Sequence, residues 1–331
     1  MTVDMRTRLA GVEFPNPVFT ASGCAAAGQE LSAFFDVSSI GGVVTKSIML
    51  APRSGRATPR MAETPSGMIN SIGLQGPGID AFLERDLAWL AASGARAVVS
   101  IAGGSVDEYT QLAQELRGRA GIAMIEVNIS CPNVANRGLV FACDPGSAAE
   151  VVAAVRAVTD PRLPVLAKLS PDVTDIVAIA RSVLEAGADG LVMINTLLGV
   201  AIDVERGAPV LSRVTGGLSG PAIRPVALRC VWQVHAALPD VPILGMGGIR
   251  TGLDALEFLL AGASAVSVGT TVFGDPSAPV RVLRELEQAL ADRGIDRLSD
   301  VIGLAHRPPE AYVPEDPDPV GDDLVPAEEI A

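Results

Sequence analysis

The feature that most constrains this chain is a repeat of pattern. Short apolar runs alternate with amphipathic segments from residue 18 to residue 270. The runs are VFTAS (18–22), GVVTKS (42–47), AVVSIAG (97–103), MIEVNIS (124–130), VLAKLS (165–170), LVMINT (191–196), ILGMGG (243–248) and AVSVGT (265–270). Each is apolar almost throughout, as a parallel strand buried on both faces must be. Between them, residues 80–93, 105–117, 146–158, 172–186, 224–237 and 252–261 place apolar side chains three and four apart, the period of a helix. Ser105 and Glu108 have the spacing of a capping box. EAGADG (185–190) and LAGASA (260–265) each put a glycine stop between a helix and the next strand. Eight such units predict an α/β fold, a TIM (β/α)8 barrel preceded by a short N-terminal extension. A doubly wound sheet is the alternative. It would carry a GxGxxG turn after its first strand, and none follows here.

Charge and composition narrow the class. With 38 acidic against 25 basic residues the net charge is −13, which disfavours nucleic acid as a partner. Residues 307–331 carry eight of the acids, one Arg and six prolines. The expected division is therefore a catalytic barrel over 1–306 and a disordered acidic tail over 307–331. No apolar run reaches the roughly 18 residues of a membrane helix, and the first twenty residues lack a signal-peptide core, so a cytoplasmic protein is expected. The four cysteines (24, 131, 143 and 230) form no CxxC pair, and there are only two histidines. That argues against a zinc or iron–sulfur site in this chain and against a histidine base.

In a TIM barrel the chemistry gathers at the C-terminal ends of the strands. Here those ends are polar: Ser22, Lys46, Ser100, Asn128 with Ser130, Lys168, and Asn195 with Thr196. Three long loops, 47–79, 131–145 and 197–223, fall on the same face. Strands seven and eight end in glycines, Gly247, Gly248 and Gly269. Their amides either bind a phosphate, as commonly happens at this place in the fold, or merely form tight turns. A lysine ending a buried strand either meets an anion or turns out to solvent. Cys131 follows the fourth strand within Asn128-Ile-Ser-Cys-Pro-Asn133. It is either a base or nucleophile at the barrel mouth or an inert packing residue, and no histidine lies nearby to form a protease-type pair. Asn70, Asn133, Asn195 and Thr196 suit a small planar ligand rich in carbonyl and N–H groups.

Longer motifs then give a resemblance. NPVFTASG (16–23), TPRMAETPSGMINSIGLQGPG (58–78), NISCPNV (128–134), AKLSPDVTDI (167–176), MINTLLG (193–199), GGLSGPAIRPVALR (216–229), GMGGI (245–249) and VGTT (268–271) resemble the class 1 dihydroorotate dehydrogenases, and more closely their NAD-linked subclass. The resemblance implies an FMN-binding barrel that oxidises dihydroorotate to orotate in pyrimidine biosynthesis. It implies that Cys131 is the base for the C5 proton, with hydride passing from C6 to the flavin. It implies substrate contacts from Lys46, Asn70, Ser71, Ile72, Gly73, Leu74, Asn128, Asn133, Asn195 and Thr196. FMN contacts would come from Ser22, Lys46, Ser47, Ser100, Asn128, Lys168, Ile194, Gly220, Gly247, Gly248, Gly269 and Thr270. The subclass works with a partner subunit bearing FAD and a [2Fe–2S] cluster that passes electrons to NAD, so a homodimer or a heterotetramer with that subunit is expected. Four departures stand out. The family commonly has Asn at Ser100, Asn at Asp172 and Lys at Arg224, and the loop ANRGLVFACDP after the cysteine lacks its usual Gly-Gly pair. These leave open a related FMN enzyme acting on another pyrimidine-like substrate. The fumarate-using subclass is the nearest alternative on the acceptor, and it typically carries a segment after CPNV that ANRGLVFACDP does not resemble.

Overall fold

A computed structural model describes residues 3–130, 135–136 and 139–307. All eight runs form strands of one parallel sheet: β1 (Val18–Thr20), β2 (Val43–Val44), β3 (Ala97–Ile101), β4 (Ile122–Val127), β5 (Val165–Lys168), β6 (Gly190–Met193), β7 (Ile243–Met246) and β8 (Ala265–Val268). Their spatial order is β1-β8-β7-β6-β5-β4-β3-β2. A parallel bridge between Phe19 and Gly42 closes the ring, with Gly41 N–H donating to Val18 O at 2.7 Å.

Helices cover the barrel. α1 spans 79–92 as Ile79–Ala81, a π segment Phe82–Leu87 and Ala88–Ala92. It is followed by α2 (Val106–Leu116), α3 (Pro145–Val158), α4 (Ile176–Glu185), α5 (Arg224–Ala237), α6 (Gly252–Leu260) and α7 (Ala278–Ala291). The last adds to the six segments read from spacing. Between β1 and β2 there are only the single turns Leu31–Ala33 and Val37–Ser39 in place of a helix. α4 starts four residues later than its apolar period, because Asp175 caps Val177 N and Ala178 N and so fixes the first turn there. Gly187 and Gly262, with φ of +101° and +109°, follow the last residues of α4 and α6 as left-handed stops. At Ser105 only half the expected box forms. Its hydroxyl accepts from Glu108 N–H, while the Glu108 carboxylate turns to Gly104 N–H.

Inside the ring, alternate residues point inward. Phe19, Val44, Val98, Met124, Leu166, Val192, Leu244 and Ala265 fill one interior cluster, one from each strand. The N-terminal hairpin Thr7–Leu9/Val12–Phe14 adds Leu9 and Phe14 to it. A larger apolar cluster lies between strands and helices. No described helix is long and apolar enough to cross a membrane. The expected tail, apart from Arg307, lies outside the described residues.

Candidate active site

One period-2 step above the filled interior layer, the inward residues turn polar. Val44 gives way to Lys46, Val98 to Ser100, Met124 to Glu126 and then Asn128, and Leu166 to Lys168. This step makes the floor of a cavity of about 930 Å³, within the range of small-molecule and cofactor sites of roughly 300–1,000 Å³. Ser22, Lys46, Ser47, Asn128, Lys168, Ile194, Asn195 and Thr196 line it. So do Asn70, Ile72, Gly73 and Leu74, and Gly220, Gly247, Gly248, Gly269 and Thr270. Ser71 is buried beside a smaller side cavity that it shares with Arg56 and Arg213. Ser100 is buried and linked to the floor by hydrogen bonds. Cys131 and Asn133 lie outside the described residues.

The roof comes from two of the long loops. Met61–Thr64 and Gly67–Asn70 form a hairpin, and Leu197–Gly199 pairs with Gly216–Ser219. The two pairs join as one four-stranded antiparallel sheet, with Asn70 opposite Gly217. The Asn70 amide donates to Gly217 O at 3.3 Å. Gly217 has no room for a side chain, because a Cβ there would overlap Thr196 Oγ1. Gly217 of the roof sheet thus packs against both Asn70 and Thr196. Asp172 has a structural task in the same place: both its carboxylate oxygens accept from Leu198 N–H at 3.2 Å, pinning the start of the second loop.

The polar floor is one hydrogen-bonded network. Asn128 Nδ2 donates to Ser47 Oγ at 2.8 Å, and Ser47 and Ser100 hydroxyls meet at 2.8 Å. Ser100 Oγ donates to Glu126 Oε1 at 2.6 Å, and Lys168 Nζ lies 3.7 Å from the same oxygen. On the other side, Asn128 Oδ1 accepts from Ser130 Oγ at 3.1 Å, and Asn195 Nδ2 donates to Ser130 Oγ at 2.8 Å. Asn195 Oδ1 accepts from Thr196 N–H at 2.8 Å. Fully buried Tyr109 donates to Asn128 O at 2.8 Å and so holds the end of β4 in place. Glu126 and Tyr109 escaped the sequence reading. Glu126 was traceable in principle, since it sits two residues from Met124 and two from Asn128 on the inward face.

At the opposite wall, glycines leave space. Gly247 and Gly248 have φ of +131° and +80°. A Cβ on Gly248 would lie 2.8 Å from Gly220 O. Thr270 Oγ1 donates to Ser219 Oγ at 2.8 Å, and the buried Ser267 hydroxyl has no partner among the described residues. Arg224 is committed elsewhere, pairing with Asp254 and, at 3.1 Å, with Glu257. Cys24 also lines the cavity. Burial pushes its thiol up to about 11 although Lys168 and Lys46 pull the other way, so near neutrality it is a protonated thiol.

Comparison with known proteins gives the family. The profile of the family described as dihydroorotate dehydrogenase matches residues 4–290. The dihydroorotate dehydrogenase B (NAD(+)) catalytic subunit of Geobacter sp. (strain M21) is 53% identical over 300 residues, covering 91% of this chain and 97% of that protein. Those similarly named in Citrifermentans bemidjiense and Desulforudis audaxviator are 52% and 50% identical over 91% and 93% of the chain, and over 97% and 99% of their own lengths. With a matching profile over most of its length and relatives at half identity, the chain belongs to the dihydroorotate dehydrogenase family.

Proposed function

We propose that this chain oxidises dihydroorotate to orotate on a bound FMN, as the catalytic subunit of an NAD-linked enzyme. The observation that carries the reading is the division of one cavity into two kinds of wall. Two lysines and a set of amides stand over one part, and a glycine cradle with a spare buried hydroxyl stands over the other. FMN fits this division. The cradle of Gly220, Gly247, Gly248, Gly269 and Thr270 offers backbone amides to a phosphate without Cβ obstruction. Ser22, Ser47, Lys46, Asn128, Lys168 and Ile194 face the space left for the ring, with Ser100 supporting them from below. Bound FMN supplies a two-electron acceptor for hydride.

The chain's own residues do the rest. Lys168 and Lys46 place positive charge where negative charge develops on reduction. Asn70, Asn128, Asn195 and Thr196 orient a planar ligand with alternating carbonyl and N–H groups, with the 71–74 backbone closing over it. Cys131 takes the C5 proton, and Asn133 adds a further amide contact to the substrate. The roof sheet excludes water from the floor. Electrons leave through a partner subunit carrying FAD and a [2Fe–2S] cluster, in an assembly of two catalytic and two electron-transfer chains. The curated relatives' names, each a catalytic subunit, support that arrangement.

The test is anaerobic. FMN-loaded chain mixed with dihydroorotate should lose its oxidised flavin absorbance. Fumarate should not restore it, and NAD with the partner subunit should. A flavin that stays oxidised refutes the substrate, and recovery with fumarate refutes the acceptor.

A further inference from the structure

Glu126 is a carboxylate with no solvent exposure, placed inside the barrel beneath the cavity rather than on its wall. Its Oε1 accepts from Ser100 and faces Lys168, and its Oε2 has no partner among the described residues. An ionised carboxylate can only accept hydrogen bonds. The single Ser100 proton is therefore committed downward, and at its contact with Ser47 it can only accept. Ser22 Oγ donates to Ser100 at 3.4 Å and stands 3.3 Å from Ser47, but the shorter 2.8 Å contact makes Ser47 the donor to Ser100, and its remaining capacity accepts from Asn128 Nδ2. One buried charge thus sets the direction of three successive hydrogen bonds, which polarise one another in a dry interior. The chain ends at the Asn128 amide. With its nitrogen held toward Ser47, its oxygen faces Ser130 and Asn195.

We infer that Glu126 is the positioning residue of this site: through Ser100 and Ser47 it fixes which end of the Asn128 amide is turned toward Asn195 and the substrate, and beside Lys168 it offsets one positive charge under the cofactor. Glu126 acts through other groups and touches neither ligand. The inference rests on the FMN and orotate reading above. It also accounts for Ser100, whose short hydroxyl spans the gap between Glu126 and Ser47.

The experiment uses full-length, FMN-loaded protein with two variants and two readouts, the flavin midpoint potential and the Kd of orotate. In Glu126→Gln the charge is gone, and the new amide N–H can donate to Ser100 and reverse the chain. The flavin potential should become more positive, and orotate should bind about tenfold more weakly, the worth of one hydrogen bond. In Ser100→Ala the charge stays and the chain is cut, so orotate should weaken similarly while the potential holds near wild type. A wild-type potential in Glu126→Gln, or wild-type orotate affinity in Ser100→Ala, overturns the inference. Should Glu126→Gln not fold, Ser100→Ala decides by its orotate affinity. A wild-type chain that binds FMN but not orotate refutes the substrate reading, while the potential of Glu126→Gln still decides the role of Glu126. A wild-type chain that takes up no FMN overturns both.

Discussion

The ion pair under the site gives the most demanding stability prediction. Lys168 Nζ and Glu126 Oε1 are 3.7 Å apart, and their side chains are 4% and 0% exposed. At that distance and an effective dielectric near 20 the attraction is about 4–5 kcal/mol. Removing one partner of such a pair leaves an uncompensated buried charge, at a cost of about 3–5 kcal/mol. Lys168→Met should therefore destabilise the FMN-free chain by about 3 kcal/mol or more. The double variant Lys168→Met/Glu126→Gln removes both charges together and should recover much of the loss. The coupling in the cycle should reach about 2–3 kcal/mol, the upper part of the range for contacting residues. Urea unfolding of the four proteins measures it, provided the m-value stays constant across the set. FMN is omitted because binding to the native state would add its own contribution. If Lys168→Met costs under about 1 kcal/mol, or the two single losses add within about 0.5 kcal/mol, the pair is not electrostatically coupled and the reasoning fails.

Three further outcomes follow from named groups. Cys131→Ala should keep FMN but slow its reduction by dihydroorotate roughly 10²- to 10⁴-fold, the usual worth of a general base; stopped-flow at neutral pH reads this, and an unimpaired variant removes Cys131 from the mechanism. Gly248→Ala puts a side chain at φ +80° and 2.8 Å from the Gly220 carbonyl. At about 1–3 kcal/mol of strain, FMN affinity by fluorescence titration should fall roughly 5- to 150-fold, and a change under twofold would show that the glycine is not part of the cradle. His235 is held below the usual histidine value of 6.5 by burial and then by His306, with Asp240 opposing. The unfolded chain therefore binds the proton more readily, and this contribution to stability is present above pH 6.5 and is lost as the pH falls below it. His235→Gln should flatten that part of the stability–pH curve in urea titrations; an unchanged slope assigns the pH dependence to other groups.

The barrel was legible because its signals are local. A parallel strand buried on both faces has to be apolar along its whole length, and each of the eight runs became a strand of the ring. Gly187 and Gly262 stop helices where their sequence context placed them, since a left-handed residue after a helix is a one-residue requirement. The polar strand ends were equally plain, and period-2 alternation is enough to put Lys46, Asn128 and Lys168 at one mouth. Helix starts were less so. α4 begins where the Asp175 side chain captures two amides, which outweighs an apolar period that runs on upstream.

What the sequence by itself determined is the set of elements, their order and the face on which chemistry gathers, because each rests on periodicity or on a residue's own backbone preference. Only the tertiary structure decided which groups meet. The roof depends on hydrogen bonds between loops some 150 residues apart, and nothing in either loop alone specifies that Asn70 will face Gly217. Ser100 reads as a ligand contact from its position at a strand end, yet it serves as the link between Ser47 and Glu126. Glu126 and Lys168 come together because adjacent parallel strands set Glu126 beside Leu166, one inward step below Lys168. Such pairings are fixed by closure of the ring, a non-local event that no window of sequence contains.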